Sequence, residues 1–246
     1  MEWNEIEKKY IKKIVTKKNW IKWSRTNFII DNCKWKNVLH LWACDWPFLD
    51  EKLSSWELLY KKIDAVSNKQ IWIDLYKEWV EKLNLLKFKN SEMKHFNLNN
   101  FIDSDLKNEN FDVIIMWEVI EHLMNLETAF TSIKSLMNEK TELIITTPNA
   151  SRFNVFIFNF LWISYEHPDH KVAFHLFNLL RLLESNNFTI IKYWFLDYAF
   201  PNIWNSFIKI ILRKIFSLTN YLLTKLFPLF WNTQIIVCKK STKKED

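Results

Sequence analysis

The chain is 246 residues long, which suits one α/β domain with a sizeable core. Its 34 basic and 28 acidic residues leave a formal charge of +6, and the basic runs KKYIKKIVTKK and KKSTKKED read as solvated ends rather than as a binding patch for nucleic acid or lipid. Three cysteines without paired spacing (Cys33, Cys44, Cys238) argue against a disulfide framework or a cysteine zinc site and place the chain in a reducing compartment. The first apolar residues are interrupted by Lys and Glu, so they do not read as a signal peptide, and the cytoplasm is the expected location. Neither an internal repeat nor a low-complexity linker is evident.

In chain order, residues 4–17 form a basic helical pattern. Strand-like apolar runs follow at 37–42, 70–74, 92–97, 111–117 and 142–147, with helical patterns near 47–65, 76–88 and 125–138 between them. A helix over 174–186 and strands over 188–196 and 233–240 complete the pattern. This alternation predicts an α/β fold: a doubly wound, mostly parallel seven-stranded sheet with an antiparallel edge strand. The expected organisation is an N-terminal helical extension over 1–35 and a domain over 36–246, with cap insertions at about 151–170 and 200–230.

Glycine is absent, although average usage would supply roughly 17 in this length, and 14 tryptophans are present. Several tryptophans stand where tight turns and close backbone approaches ask for glycine: Trp35, Trp42, Trp46, Trp72, Trp117 and Trp231. The simplest account is a gene in which UGA encodes glycine, read with UGA as tryptophan.

Four segments carry a resemblance. VLHLWACDWPFL (38–49) is a strand, a short loop and a helix start; IWIDLYKEWVEKL (71–83) has an acidic residue at a strand end; FDVIIMWEVIEHL spans 111–123 and LIITTPN spans 143–149. In this order and spacing they resemble the class I S-adenosylmethionine-dependent methyltransferases, over about Val38 to Lys240. The resemblance implies a Rossmann-like sheet, S-adenosyl-L-methionine as methyl donor, and a cofactor loop at Trp42, Cys44, Asp45 and Trp46. It also implies Asp74 on the ribose hydroxyls, Asn97 and Leu98 after the third strand, and Glu118 beside the cofactor. Three positions depart from the family pattern: His40 replaces the usual acidic residue, Cys44 the middle glycine, and Asn97 an acidic residue. Indoles at Trp42 and Trp46 would fill the space that the cofactor needs, so a non-catalytic binding protein on this fold is the expectation if both are genuine.

Glu118, Glu121 and His122 have the i, i+3, i+4 spacing that shares one helical face, an oxygen- and nitrogen-rich set suited to Mg²⁺ or Mn²⁺. The ExxEH pattern resembles the O-methyltransferases of ubiquinone biosynthesis and the small-RNA 3′-end 2′-O-methyltransferases, both metal-dependent. TTPNASRFN and HPDHKVAFH also resemble the RNA group, which implies His170 as a fourth ligand with His167 in reserve. A similar TPN…HPDH arrangement occurs in methyltransferases linked to surface polysaccharide synthesis that need no established metal. Without metal, His122 or His170 serves as the base, the other three groups supporting the loop or lining the pocket.

Two segments are expected to shape an acceptor site: FNVFIFNFLWISY (153–165) and the apolar stripe Ile208, Ile211, Ile215, Leu218, Leu222 and Leu226. Charges interrupt the long apolar runs of 205–230, so it does not span a bilayer; it either packs on the sheet or lies on a membrane surface. The expected activity is O-methylation of a glycan, glycolipid or small hydroxylated acceptor, with metal-dependent RNA 2′-O-methylation as the alternative.

Overall fold

The computed structural model describes residues 24–41, 58–97, 104–164, 166–196, 218 and 230–242. The expected helix over 4–17, the loop carrying Trp42, Cys44, Asp45 and Trp46, Leu98, and nearly all of 200–229 lie outside the described residues.

Seven strands form one sheet: β1 (Asn37–Leu41), β2 (Lys69–Asp74), β3 (Ser91–His95), β4 (Val113–Trp117), β5 (Glu142–Pro148), β6 (Phe188–Leu196) and β7 (Thr233–Lys240). Their spatial order is β3-β2-β1-β4-β5-β7-β6. The first five run parallel, and β7 is antiparallel to both β5 and β6. Antiparallel pairing is thus confined to one side of the sheet, where β7 enters between two strands that precede it in the chain. The chain steps outward from β1 to β3, then returns to lay β4 on the other flank of β1. That reversal makes the carboxyl ends of β1 and β4 the switch point, where open α/β sheets bind ligands.

Helices cover both faces, which is why the central strands read as unbroken apolar runs. On one face Leu39, Leu41, Ile114, Met116, Leu143 and Ile145 pack against Phe130 and Ile133 of α4 (Leu126–Ser135) and Leu179 and Leu183 of α6 (Leu176–Ser185). On the other, Val38, Val113, Ile115 and Ile144 meet Phe28, Ile29 and Cys33 of α1 (Arg25–Cys33) and Leu59 and Ile63 of α2 (Leu59–Asp64). The alternation within β1 divides its side chains between these two cores. At the β2–β3 edge, Trp72 packs with Leu58, Tyr60 and residues of α3 (Lys77–Asn84). The expected helix over 76–88 is shorter because Lys87 takes a left-handed φ of 48°.

Capping chemistry fixes several helix ends. The Ser24 hydroxyl accepts from Asn27 N, and the Asn125 side chain accepts from Thr128 N at 3.0 Å. The other ends of α1 and of α5 (Phe153–Phe160) turn at tryptophan. Trp35 has φ 59° and Trp162 has φ 61°, each one residue beyond its helix's C-cap. After α5 the Trp162 N–H donates to Asn159 O at 3.0 Å and the Ile163 N–H to Phe158 O at 2.9 Å. This is the Schellman arrangement, whose left-handed residue is most often glycine. Trp162 is 98% exposed and Trp35 is 80% exposed, so burial of the indole offsets little of the backbone cost.

Trp72 shows the opposite problem. It is buried, its ring centroid lies 3.8 Å from that of Tyr60, and its indole N–H has no hydrogen-bond partner among the described residues. Aromatic pairs prefer centroids about 4.5–7 Å apart, so the site is crowded.

A left-handed conformation costs a non-glycine residue about 1–2 kcal/mol, against about 0.5–1 kcal/mol for glycine's greater freedom in the unfolded chain. Trp35→Gly and Trp162→Gly are therefore expected to raise unfolding free energy by up to about 1 kcal/mol each in urea titrations. A loss of stability in both would show that the indoles do more than the backbone requires.

Candidate functional site

The strand register aligns the carboxyl ends of three strands. Leu41, the last residue of β1, pairs with Ile73 of β2 and Met116 of β4. Leu41 therefore ends β1 between the end of β2 at Asp74 and the Trp117–Glu118 corner.

Asp74 ends β2 and is buried. Its Oδ1 accepts the Tyr76 N–H at 3.0 Å, and its carbonyl accepts the Phe96 N–H at 2.8 Å. The N-cap of α3 is Tyr76, so Asp74 stands two residues ahead of the cap, at the carboxyl end of β2. Asn97 is half-buried on the loop after β3.

Beyond β4 the chain turns sharply. Glu118 has φ 52°, and its N–H donates to the Thr146 carbonyl and to Thr146 Oγ1, both at 3.1 Å. A one-turn 3₁₀ helix, Ile120–His122, follows. The sequence spacing places Glu118 on one face with Glu121 and His122, but a left-handed residue breaks that face. Glu118 turns instead to Arg25 at the start of α1, with Oε1 2.7 Å from Nη1 but outside hydrogen-bond alignment. The Arg25 guanidinium also lies 4.0 Å over the Trp117 ring.

Glu121 is 1% exposed. Its Oε2 accepts from Thr147 Oγ1 at 2.9 Å, whereas Oε1 has no hydrogen-bond partner among the described residues. Burial, and next the charge of Glu118, push its carboxyl pKa well above the usual range. Its backbone carbonyl accepts the Lys171 N–H at 2.7 Å and the Val172 N–H at 3.2 Å. These two bonds draw the HPDH segment onto the end of β4.

The same contact brings His170 to His122, with ring centroids 4.9 Å apart. His122 Nδ1 lies 3.2 Å from the Asp169 carbonyl, and His170 Nδ1 lies 2.7 Å from Glu166 Oε1. A carbonyl or carboxylate oxygen only accepts, so a proton on Nδ1 makes each contact a hydrogen bond, and in a neutral ring the lone pair is then on Nε2. Burial, and then His170, lower the His122 pKa.

One ligand atom from each of Glu121, His122 and His170 lies within 4.8 Å of the others. A carboxylate oxygen and two imidazoles form a set that a divalent cation could bridge, and the partnerless, buried Oε1 of Glu121 is the atom such a charge would relieve. Imidazole favours later metals than Mg²⁺, so Mn²⁺ fits better of the two ions expected. Glu118 is outside this trio. His167 is also outside it, exposed at the rim with its ring 5.3 Å from that of His170.

Sequence reasoning missed Arg25, Thr147, Arg152 and Glu166. Thr147 lies inside LIITTPN and Glu166 directly precedes His167, so the segments were noted but not these side chains. Arg25 gives no signal, since its partner is remote in sequence.

Residues 56–193, more than half of the chain, match a family model described as a methyltransferase domain. No curated protein matches the chain in sequence. Among solved structures the chain is similar to a SAM-dependent methyltransferase from Archaeoglobus fulgidus, with 17% identity, a TM-score of 0.54, and coverage of 98% of this chain and 100% of that one. It is similar to another from Aquifex aeolicus, with 12% identity, a TM-score of 0.53, and coverage of 97% and 98%. The small RNA methyltransferase HEN1 shares 14% identity and a TM-score of 0.54 over 94% of this chain but 27% of its own length. At these identities the likeness is one of fold.

A carboxyl whose pKa is raised by folding contributes stability that is complete below the unfolded value, about 4.3, and lost as pH rises through the raised value. In chelator, the parent protein is thus expected to lose stability above that pH more steeply than Glu121→Gln, which cannot ionise. Urea midpoints for the two proteins at acidic and neutral pH measure this. Parallel pH profiles would mean that Glu121 is ionised in the folded protein without cost.

Proposed function

The chain belongs to the class I S-adenosylmethionine-dependent methyltransferases, and from that premise we propose that it methylates a hydroxyl group of a glycan, a glycolipid or another small hydroxylated acceptor. The observation that carries this reading is the Glu121–His122–His170 trio beside the carboxyl ends of β4 and β5. When bound, S-adenosylmethionine supplies a methyl group made electrophilic by its sulfonium. Asp74 suits the ribose, since a buried carboxylate at the β2 end can accept from both hydroxyls while Oδ1 keeps its bond to Tyr76.

Transfer to oxygen forms a carbon–oxygen bond as the carbon–sulfur bond breaks, and the acceptor's hydroxyl proton must leave. In the metal-free version, the Nε2 lone pair of His122 or His170 takes that proton. Neutral imidazoles are suited to this, and the His122 pKa is already lowered by its surroundings. In the metal version, Glu121, His122 and His170 hold Mn²⁺ or Mg²⁺, which when bound lowers the pKa of the acceptor hydroxyl. Metal-dependent 2′-O-methylation of RNA is the second reading, because such a trio would suit the neighbouring hydroxyls of a terminal ribose.

No described helix is long and apolar enough to cross a membrane. The exposed Phe156, Phe160 and Leu161 around the end of α5, with the amphipathic pattern of 205–230, support a lipid-bearing acceptor reached from the inner membrane face. Cytoplasmic location with peripheral membrane contact is part of the same proposal.

Calorimetry of the intact protein with S-adenosylmethionine should show binding; absence of binding would favour the non-catalytic reading. Asp74→Ala should weaken that binding by roughly 10–100-fold, given about 1.5–3 kcal/mol for a hydrogen bond to a charged group. Unchanged affinity in a folded variant would remove Asp74 from the site. Turnover on glycan, glycolipid and small-RNA acceptors separates the substrate readings. Chelator sensitivity reversed by Mn²⁺ supports the metal version, and insensitivity supports the histidine base.

A further inference from the structure

Arg152 brings a buried guanidinium into the segment that follows β5. Its Nη1 donates to the Asn149 carbonyl at 3.1 Å, and its Nη2 donates to Glu166 Oε2 at 2.9 Å. The other oxygen of Glu166, Oε1, meets His170 Nδ1 at 2.7 Å. One carboxylate therefore spans a fixed cation and the imidazole of the trio. Asn149 is itself anchored, its N–H donating to the Asn232 carbonyl at 2.8 Å beside the first residue of β7.

We propose that Glu166, aimed by Arg152, is a positioning residue that sets the tautomer and orientation of His170; this rests on the O-methylation reading of the trio. Histidine in water prefers its proton on Nε2, leaving the lone pair on Nδ1. A carboxylate against Nδ1 reverses that preference, because it offers only acceptors. With Nδ1 held by Glu166, Nε2 is the nitrogen left to the trio with Glu121 and His122, where either a proton or a cation requires a lone pair. The arrangement serves both versions of the chemistry, since base and ligand need the same unprotonated nitrogen. Arg152 holds Glu166 against rotation into solvent, to which the carboxylate is partly open.

Long-range ¹H–¹⁵N correlation of the histidine rings near neutral pH, without metal, tests the proposal on the intact protein. His170 should carry its proton on Nδ1 in the parent, and Glu166→Ala should move that proton to Nε2. In the same variant kcat should fall by about 10–100-fold while KM for S-adenosylmethionine stays within about twofold. Glu166→Gln keeps an acceptor oxygen and should retain the parent tautomer and most of the turnover, which guards against a folding defect in the alanine variant. The proposal is overturned if parental His170 is protonated on Nε2, if Glu166→Ala leaves the tautomer unchanged, or if Glu166→Gln loses turnover with its tautomer intact. A His170→Ala variant of undiminished turnover would instead sink the reading of the trio, and leave the tautomer result standing on its own.

Discussion

A carboxyl group almost sealed from solvent must be neutral, hydrogen-bonded or bound to a cation, and Glu121 meets only part of that requirement. Thr147 satisfies one oxygen, the other has no hydrogen-bond partner among the described residues, and the carboxylate stands close to His122 and His170. An uncompensated charge there is costly, in keeping with a carboxyl pKa pushed well above the usual range. The backbone of the same residue captures Lys171 and Val172. Glu121 thus combines a proposed chemical role for its side chain with an architectural one for its main chain. A substitution that changes the first need not disturb the second.

Sheet topology supplies the rest of the setting. With β1 and β4 adjacent at the switch point, the acidic end of β2 and the corner after β4 flank one opening. The paired β5 and β7 hold Asn149, and through it Arg152, on the opposite side. In the proposed function, cofactor and acceptor fall on different flanks of the strand ends. Arg25 ties α1 to the corner after β4 through Glu118, so a helix outside the repeating strand–helix units contributes to that corner.

Much of this was legible in the sequence, for identifiable reasons. Strands buried on both faces are largely apolar, and β4 stands out on that ground, while His40 interrupts β1 and Thr146 and Thr147 follow the apolar run of β5. The resemblance to the family's second motif put Asp74 at a strand end, and it does close β2. The absence of glycine was visible in composition, yet only backbone angles show Trp35 and Trp162 at left-handed helix ends. The separation of Glu118 from Glu121 and His122 was not legible, because spacing arguments assume continuous helical geometry and Glu118 lies outside it. Glu166 escaped notice for a related reason. Its partner is His170, one turn away through a bend, rather than the neighbouring His167. Insertion of β7 between β5 and β6 lies beyond periodicity altogether, since strand patterns carry no information about which strand will be the neighbour.

That insertion places a demand on synthesis. β7 is made after every other strand, yet it occupies an interior position against β5. Between completion of β5 at Pro148 and arrival of Thr233, the ribosome needs on the order of ten seconds. Throughout that interval the β5 edge, with Leu143, Ile144 and Ile145, has no strand to pair with, and β6 emerges with no place to dock. An open apolar edge invites pairing with other chains. The final strand closes that edge, so completion of the sheet waits on the last residues of the domain.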